Sequence, residues 1–354
     1  MNLRTAIGLM VGLGVIVAIV AKQDLTAIWA AAAQAGWALI PALGWRAASI
    51  ILAANAWRSL FVAPFLPPHR RTALARWIGE AVNTLLPVAQ VGGDVIRGRL
   101  LRHHLAIRDH ARKAQSSRGS HGHGIPGGVS VAATVVADLT LNLVAQLIFA
   151  LPGLWQLWRS NDLTGWRALG CLGIAALPLG LLLLAQSPGV IRVTTGLARR
   201  LGLIKEGKTS GHPGLGFEQA VWHLYGRHRI VAVALGWHLL AWTCRAGEVW
   251  FLLRLLGHPV GLLDAAAIEG LLGAVRAAAF LLPAGLGVQE GALILLCGWV
   301  GVPPSSALAL ALIKRARELA VGLPGLLAWL AAEQEVRRDT RRMSSVAVKA
   351  DKAL

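Results

Sequence analysis

The chain is 354 residues long, 55% hydrophobic and only 15% charged, with a formal charge of +18 at neutral pH. Apolar runs near the ~20 residues that cross a bilayer as a helix exclude a water-soluble fold. Basic residues held in the short loops between those runs read as topogenic charge and argue against a nucleic-acid surface.

The first apolar run, 6–21, follows a short Met1-Asn2-Leu3-Arg4 leader. Ile19 and Ala21 make a poor small-x-small cleavage site, so it is expected as a retained first span. Trp37 to Phe61 is the second span. The stretch from Ala73 to Leu101 is apolar but broken at its centre, and basic residues flank it on both sides: Arg58, Arg70, Arg71 and Arg76 before, Arg97, Arg99, Arg102, Arg108, Arg112, Lys113 and Arg118 after. Both flanks belong in the cytoplasm, so the stretch is expected to enter and leave by the same face as a re-entrant helical hairpin. On this reading Arg97 is an interfacial residue snorkelling to headgroups, as are Arg58 and Arg254.

His103 to Gly128 reads as a soft loop, and its His121-Gly122-His123 as solvated coil in preference to a metal site. Val129 to Leu151 and Trp166 to Leu184 are further spans. The soft segment 187–229 precedes Ile230 to Leu256, a second broken stretch covers Leu262 to Val300, and Ser306 to Leu330 is the last span. The basic residues then fall on one side, with Lys22, Arg159 and Arg167 left outside. Trp29, Trp37, Trp155, Trp158, Trp166, Trp299 and Trp329 stand near span ends, as an interfacial belt requires. Cys171, Cys244 and Cys297 lie apart within apolar runs and indicate neither disulfides nor a thiolate metal site.

The expected fold is therefore an all-α polytopic membrane protein, with about six full spans and two re-entrant helical hairpins. One integral membrane domain covers 1–333 and a basic cytoplasmic tail 334–354, with soft cytoplasmic loops at about 102–128 and 187–229. Both termini are expected in the cytoplasm.

The broken stretches resemble each other. Leu85-Leu86-Pro87-Val88-Ala89-Gln90-Val91-Gly92-Gly93-Asp94 aligns without gaps on Leu281-Leu282-Pro283-Ala284-Gly285-Leu286-Gly287-Val288-Gln289-Glu290. Each places a carboxylate seven residues after the proline. Upstream, Gly44-Trp45-Arg46 with Trp57 is matched by Gly236-Trp237-His238 with Trp250 at nearly the same offset. Three crossings between the equivalent spans would make the halves, about 37–151 and 230–330, an inverted repeat, a plan common among transporters.

Charge inside apolar runs costs at least ~2.5–3.5 kcal/mol per residue unless it is paired or wet. Arg46, Glu80, Asp94 and Arg97 in the first half, and Arg245, Glu248, Glu269, Arg276 and Glu290 in the second, carry that cost, as do Lys314, Arg315, Arg317 and Glu318 in the last span. Asp94 and Arg97, Arg245 and Glu248, and Arg315 and Glu318 are three apart and share a helical face. Such residues either form ion pairs that hold the bundle or line a wet central cavity. The candidate cavity set is Glu80, Asn83, Pro87, Gln90, Asp94, Arg97, Glu269, Arg276, Pro283, Gln289, Glu290, Lys314, Arg315, Arg317 and Glu318. No catalytic residue, metal or cofactor is implied.

Glu80 to Pro87 with Gly92-Gly93-Asp94-Val95-Ile96-Arg97, and Pro283 to Ala292, resemble the two hallmark stretches of the flippase-like family, the membrane region of lysylphosphatidylglycerol synthases. Pro87-Val88-Ala89-Gln90-Val91-Gly92-Gly93-Asp94 and Lys314-Arg315-Ala316-Arg317-Glu318-Leu319 are most similar to the subgroup encoded with hopanoid biosynthesis enzymes. The resemblance implies a multi-pass protein of the bacterial cytoplasmic membrane that moves lipids or isoprenoid-linked molecules between leaflets, in the subgroup a hopanoid or related lipid. Membrane lipids, hopanoid or anionic phospholipid, would be its ligands and hopanoid-synthesis enzymes candidate partners. The wider family often has an Asp-Arg pair in its mid-chain span, whereas here Asp138 precedes Leu139, and Asn142 stands where an acid or glycine is common. The alternatives are a non-transporting scaffold for lipid-synthesis enzymes and a lipid-modifying membrane enzyme. The enzyme reading is disfavoured, since lysyl-transferring members carry a large soluble domain where about two dozen residues follow the last span here.

Overall fold

A computed structural model of the chain describes residues 36–62, 65–86, 92–115, 127–159, 213–278 and 288–351, with a few positions between 176 and 186. Apart from short connections, the described residues are helical, and none of them lies in a strand. After a short turn at Gly36–Ala38 come α1 (Leu39–Ser59), α2 (His69–Leu85), α3 (Gly92–Gln115), α4 (Gly127–Arg159), α5 (Pro213–Tyr225), α6 (His228–Leu255), α7 (Leu262–Ala278), α8 (Val288–Trp299) and α9 (Pro304–Asp351). Three stretches are long and apolar enough to cross a membrane: Gly36–Ser59, Val131–Trp155 and His228–Leu255. They coincide with the expected spans at Trp37, Val129 and Ile230. The expected spans at 6–21 and most of 166–184 lie outside the described residues. The last falls within α9, whose charges at 314–318 separate it from the apolar three.

Helix ends follow local chemistry. Pro67-Pro68 cannot continue a helix, and the Pro68 carbonyl instead accepts from both the backbone N–H and the hydroxyl of Thr72 to open α2. After α6, Gly257 at φ 83° allows His258 N–H to donate to Leu253 O at 2.9 Å and Gly257 N–H to Arg254 O at 3.2 Å. Gly301, at φ 79°, closes α8 in the same way, with Val302 N–H donating to Cys297 O at 2.9 Å. Both are the αL glycine stop in which orphan carbonyls are satisfied by a reversing chain.

α1 and α6 pack along their length and run antiparallel. The N-terminal end of α1 (Ala42, with Ala38 of the turn before it) joins the C-terminal end of α6 (Val249, Leu252, Leu253) in an apolar cluster with α7, α8 and the start of α9. The other end of α1 (Trp57, Leu60) joins Ala234 of α6 in a second cluster with α2, α3, α4 and Leu224 of α5. Alanines on α1 at 42, 53, 54 and 56 are almost fully buried, and the ring of Trp45 would stand 3.0 Å from a Cβ on Gly247. Small residues substitute for hydrophobic driving force between helices in lipid, because they let backbones close up. Between the two apolar clusters runs a layer of charge.

Adjacent helices pair in the same order in each half: α1 with α2, α2 with α3, α3 with α4, then α6 with α7, α7 with α8, α8 with α9. Across the halves α4 packs on α7 and α9 on α2, while α4 meets α6 and α9 meets α1. Among the described glycines the tightest approach is between α2 and α3, where a Cβ on Gly93 would lie 1.9 Å from the Gly79 carbonyl oxygen. α4 and α7 come nearly as close, with the Phe149 carbonyl oxygen 2.2 Å from a Cβ placed on Gly270.

The structure departs from expectation at the soft segments. α3 continues through Gln115, inside the stretch expected as loop, because Leu101 and Leu105 bury against Val131 and Val135 of α4. Pro213–Tyr225 is helical because Val221 and Leu224 are buried, and α9 carries on as one helix through the expected tail. The His121–His123 segment lies outside the described residues.

Candidate functional site

The charged layer is built from helix faces that carry polar residues at turn-by-turn spacing. On α2, Thr72, Arg76, Gly79, Glu80 and Asn83 recur every three or four residues. On α6, His238 and Arg245 are seven apart and Glu248 three further on. On α9, the run Lys314, Arg315, Arg317 and Glu318 is buried on almost every side because α9 lies against α1, α2, α6 and α8 at once.

The first half of the layer centres on Asp138 of α4, which has no exposed surface. Its Oδ2 accepts from Arg76 Nη1 at 2.6 Å and lies 2.8 Å from Arg97 Nη1, while His238 Nε2 is 2.9 Å from its Oδ1. Glu80 accepts from Arg46 Nη2 at 2.6 Å and from Arg76 Nη2 at 3.2 Å. The ends of α2 and α3 are tied by a chain of side chains. Gly93 N–H donates to Asn83 Oδ1 at 2.7 Å, Asn83 Nδ2 to Asp94 Oδ2 at 2.9 Å, and Arg97 Nε to Asp94 Oδ1 at 2.7 Å. Asp94 sits in the first turn of α3, where a carboxylate also faces the positive end of the helix dipole. The Arg97 guanidinium stacks on Trp57 at 4.5 Å.

The second half is organised by α9. Lys314 Nζ donates to Glu269 Oε2 at 2.5 Å, and Arg317 Nη1 to both oxygens of Glu248. Arg315 bridges Glu290 at 2.8 Å and Glu318 at 3.0 Å, so that one guanidinium links α8 to α9. Arg276 of α7 donates to Gln289 of α8 at 3.1 Å and lies 3.6 Å from Glu318. Glu290 occupies the first turn of α8, as Asp94 does in α3. Access is graded: Asp138, Glu248 and Arg317 are sealed, whereas Glu80, Glu290 and Arg276 keep 19%, 25% and 29% of their side-chain surface.

The Lysylphosphatidylglycerol synthase TM region model matches residues 5–325 of the chain. The chain belongs to this family. No curated protein and no solved structure matches it. Family membership and the apolar helices make it a helical membrane protein linked to lipid handling.

Of the candidate residues read from sequence, Glu80, Asn83, Asp94 and Arg97 meet in the first half of the layer. Glu269, Arg276, Gln289, Glu290, Lys314, Arg315, Arg317 and Glu318 meet in the second. Pro87, Gln90 and Pro283 lie outside the described residues. Two expectations are corrected. Arg76 is no loop residue and Arg97 does not snorkel: both are buried, because each gains a carboxylate partner that offsets desolvation. The i,i+3 pairs Asp94–Arg97 and Arg315–Glu318 form, but Glu248 turns from Arg245 to Arg317, whose Nη1 donates to both of its oxygens. Sequence reasoning also left Asp138, Arg76 and His238 out of the candidate set. Their signal was a lone acid in an apolar span and a Gly-Trp-Arg/Gly-Trp-His correspondence, which places Arg46 and His238 at matching positions. Among the described residues no group of three metal-ligating side chains stands together.

Proposed function

We propose that the chain is a lipid translocator of the bacterial cytoplasmic membrane, not an enzyme, moving a hopanoid or related lipid between leaflets. The observation that carries the reading is the layer of paired charge laid across helices α2, α3, α7 and α8, at the breaks between helix pairs, in a chain of a lipid-handling family. Burying so many ions costs stability that apolar side chains would not, and function is the usual reason for keeping them. In this reading α2 with α3, and α7 with α8, are re-entrant hairpins in an inverted repeat. Support comes from the matching order of helix contacts in the two halves and from the antiparallel run of α1 against α6. Pro87, Gln90 and Pro283 are assigned to the translocation cavity from the sequence pattern alone. Both termini face the cytoplasm, and hopanoid-synthesis enzymes are the proposed partners.

The test is reconstitution. Purified protein in liposomes is expected to move a labelled lipid across the bilayer, and Asp94→Asn or Glu290→Gln to slow this severalfold while the protein stays folded. Movement at the rate of empty liposomes sinks the reading for the lipids tried.

A further inference from the structure

The two halves of the charged layer are fastened differently. In the first, α2 and α3 are locked to each other and to α4. Gly79 and Gly93 let the two backbones touch, Asn83 bonds both the Gly93 N–H and Asp94, and Arg76 and Arg97 close on Asp138 from both helices. The alignment of Leu85 to Asp94 on Leu281 to Glu290, carried on at the same offset, sets Val275 against Gly79, Ala279 against Asn83, Gln289 against Gly93 and Leu293 against Arg97. The glycine contact, the Asn83 bridge and the Arg97 guanidinium therefore have no counterpart at the equivalent positions of the second half.

Within the second half α7 is the wedged member. Lys314 ties Glu269 to α9, and a Cβ on Gly270 or Gly273 would lie 2.2 Å from the Phe149 carbonyl oxygen or 2.7 Å from the Trp242 ring. On α8, by contrast, nothing among the described residues stands within 4 Å of a Cβ on Gly291 or Gly298. Its other face buries Leu293 and Cys297, and apolar contact is non-directional, so that packed helices can slide. In the layer, Glu290 and Gln289 of α8 accept from Arg315 and Arg276. Both guanidiniums also stand beside Glu318, at 3.0 and 3.6 Å, so a shift of α8 leaves neither without a carboxylate, and Glu290 is already part-exposed. Drawing α2 and α3 away from α4 would instead strip the sealed Asp138 of both its guanidiniums. A stranded buried charge costs far more than a half-wet pair exchanged for water.

We propose that α8 is the moving gate of the translocator, with Glu290–Arg315 as its latch, while α2, α3 and α7 stay in place. The inference rests on the lipid-translocator reading and deepens it: although the sequence repeats, the halves do not exchange roles, and one helix opens the path. Glu318 is the residue that makes the release possible, because it keeps Arg315 and Arg276 paired in both positions of α8.

The experiment measures distances between pairs of spin labels in the full-length protein, reconstituted in liposomes of phosphatidylethanolamine and phosphatidylglycerol. Labels are carried on genetically encoded ketone side chains, so that the native cysteines stay in place. Ile51 on α1, the helix shared by both apolar clusters, is the common reference, paired with Leu295 on α8 or with Val95 on α3; all three are exposed. The α8 pair is expected to show two populations separated by about 5 Å or more, the scale of a one-turn shift, and the α3 pair a single narrow one. Glu290→Gln should raise the minor α8 population severalfold and leave the α3 pair unchanged. Two populations that emerge only in the variant support the proposal too, the latch then being shut in the wild type. A single α8 distance in both proteins overturns it, as does an α3 pair that moves as far as the α8 pair, or α8 populations indifferent to the substitution. Should Glu290→Gln fail to fold, Gln289→Ala decides by the same criteria. Labelled lipid crossing the same liposomes while α8 keeps one distance refutes this inference alone. Two α8 positions without lipid movement refute the transport reading alone.

Discussion

Arg76 and Arg97 stand on facing helices, α2 and α3, and reach one and the same carboxylate oxygen, Oδ2 of Asp138, at 2.6 and 2.8 Å. A third helix thus fixes the relative height of the first pair through a single atom. Removing that charge strands two buried guanidiniums, and breaking buried pairs costs about 3–5 kcal/mol. Asp138→Asn is therefore expected to lower the melting temperature in detergent more than any substitution at an exposed acid such as Glu335. A melting temperature within experimental scatter of wild type would show that Asp138 does not hold the pair.

The α2–α3 contact sets a second expectation. A methyl at Gly93 would meet a backbone oxygen at 1.9 Å, and backbone cannot swing aside as a side-chain tip can. Gly93→Ala should destabilise by roughly 1–3 kcal/mol, the usual range for overpacking. Gly44 and Gly236 also lie inside helices, but nothing stands within 4 Å of a Cβ on either. Alanine there should be neutral or gain up to about 1 kcal/mol from helix propensity. Thermal unfolding of the three variants side by side separates the outcomes, and equal effects would deny the close approach.

How much of this was legible beforehand depends on distance along the chain. Asp94–Arg97 and Arg315–Glu318 could be read because three residues is a helical interval. Glu248–Arg317 and Arg76–Asp138 could not, since nothing periodic joins residues 69 or 62 positions apart. Arg76 was misplaced by its company in the basic run with Arg70 and Arg71. The helical interval from Thr72 through Arg76 to Gly79 and Asn83 would have set it on the inner face, away from those two. Arg97 was likewise judged by neighbouring charge, although Asp94 one turn earlier offered it a partner.

Buried and exposed ion pairs should differ in their coupling. Glu248–Arg317 is sealed, whereas Arg71 donates to Glu335 at 3.1 and 3.0 Å with both side chains largely in solvent. In double-mutant cycles with glutamine, Glu248 and Arg317 are expected to show strong non-additivity, about 1–3 kcal/mol. Arg71 and Glu335 should fall below about 1 kcal/mol and lose even that in high salt. Matching coupling energies would mean that burial does not set the strength of the pair.

The far part of α9 docks on α2 and α3 through groups that titrate, and the docking should weaken in acid. His104 of α3 is held below its usual 6.5, first by burial and then by Arg71 of α2 and Arg108 of its own helix, with His103 adding to the same effect and Glu335 of α9 opposing it. The hydrogen bond from Arg71 holds Glu335 below its ordinary 4.5, and Asp339 faces His103 at 3.6 Å. Docked, His104 binds fewer protons than when free. Its contribution is therefore complete above pH 6.5 and lost as pH falls from there towards its docked value, and that of Glu335 is lost only at pH below 4.5. Amide hydrogen exchange across 333–341, corrected for its intrinsic pH dependence, is expected to speed up between pH 7.5 and 5.5. The same step should be absent in His104→Gln. Protection that is flat over this range in the wild type, or a step that persists in the variant, would show that another group governs the contact.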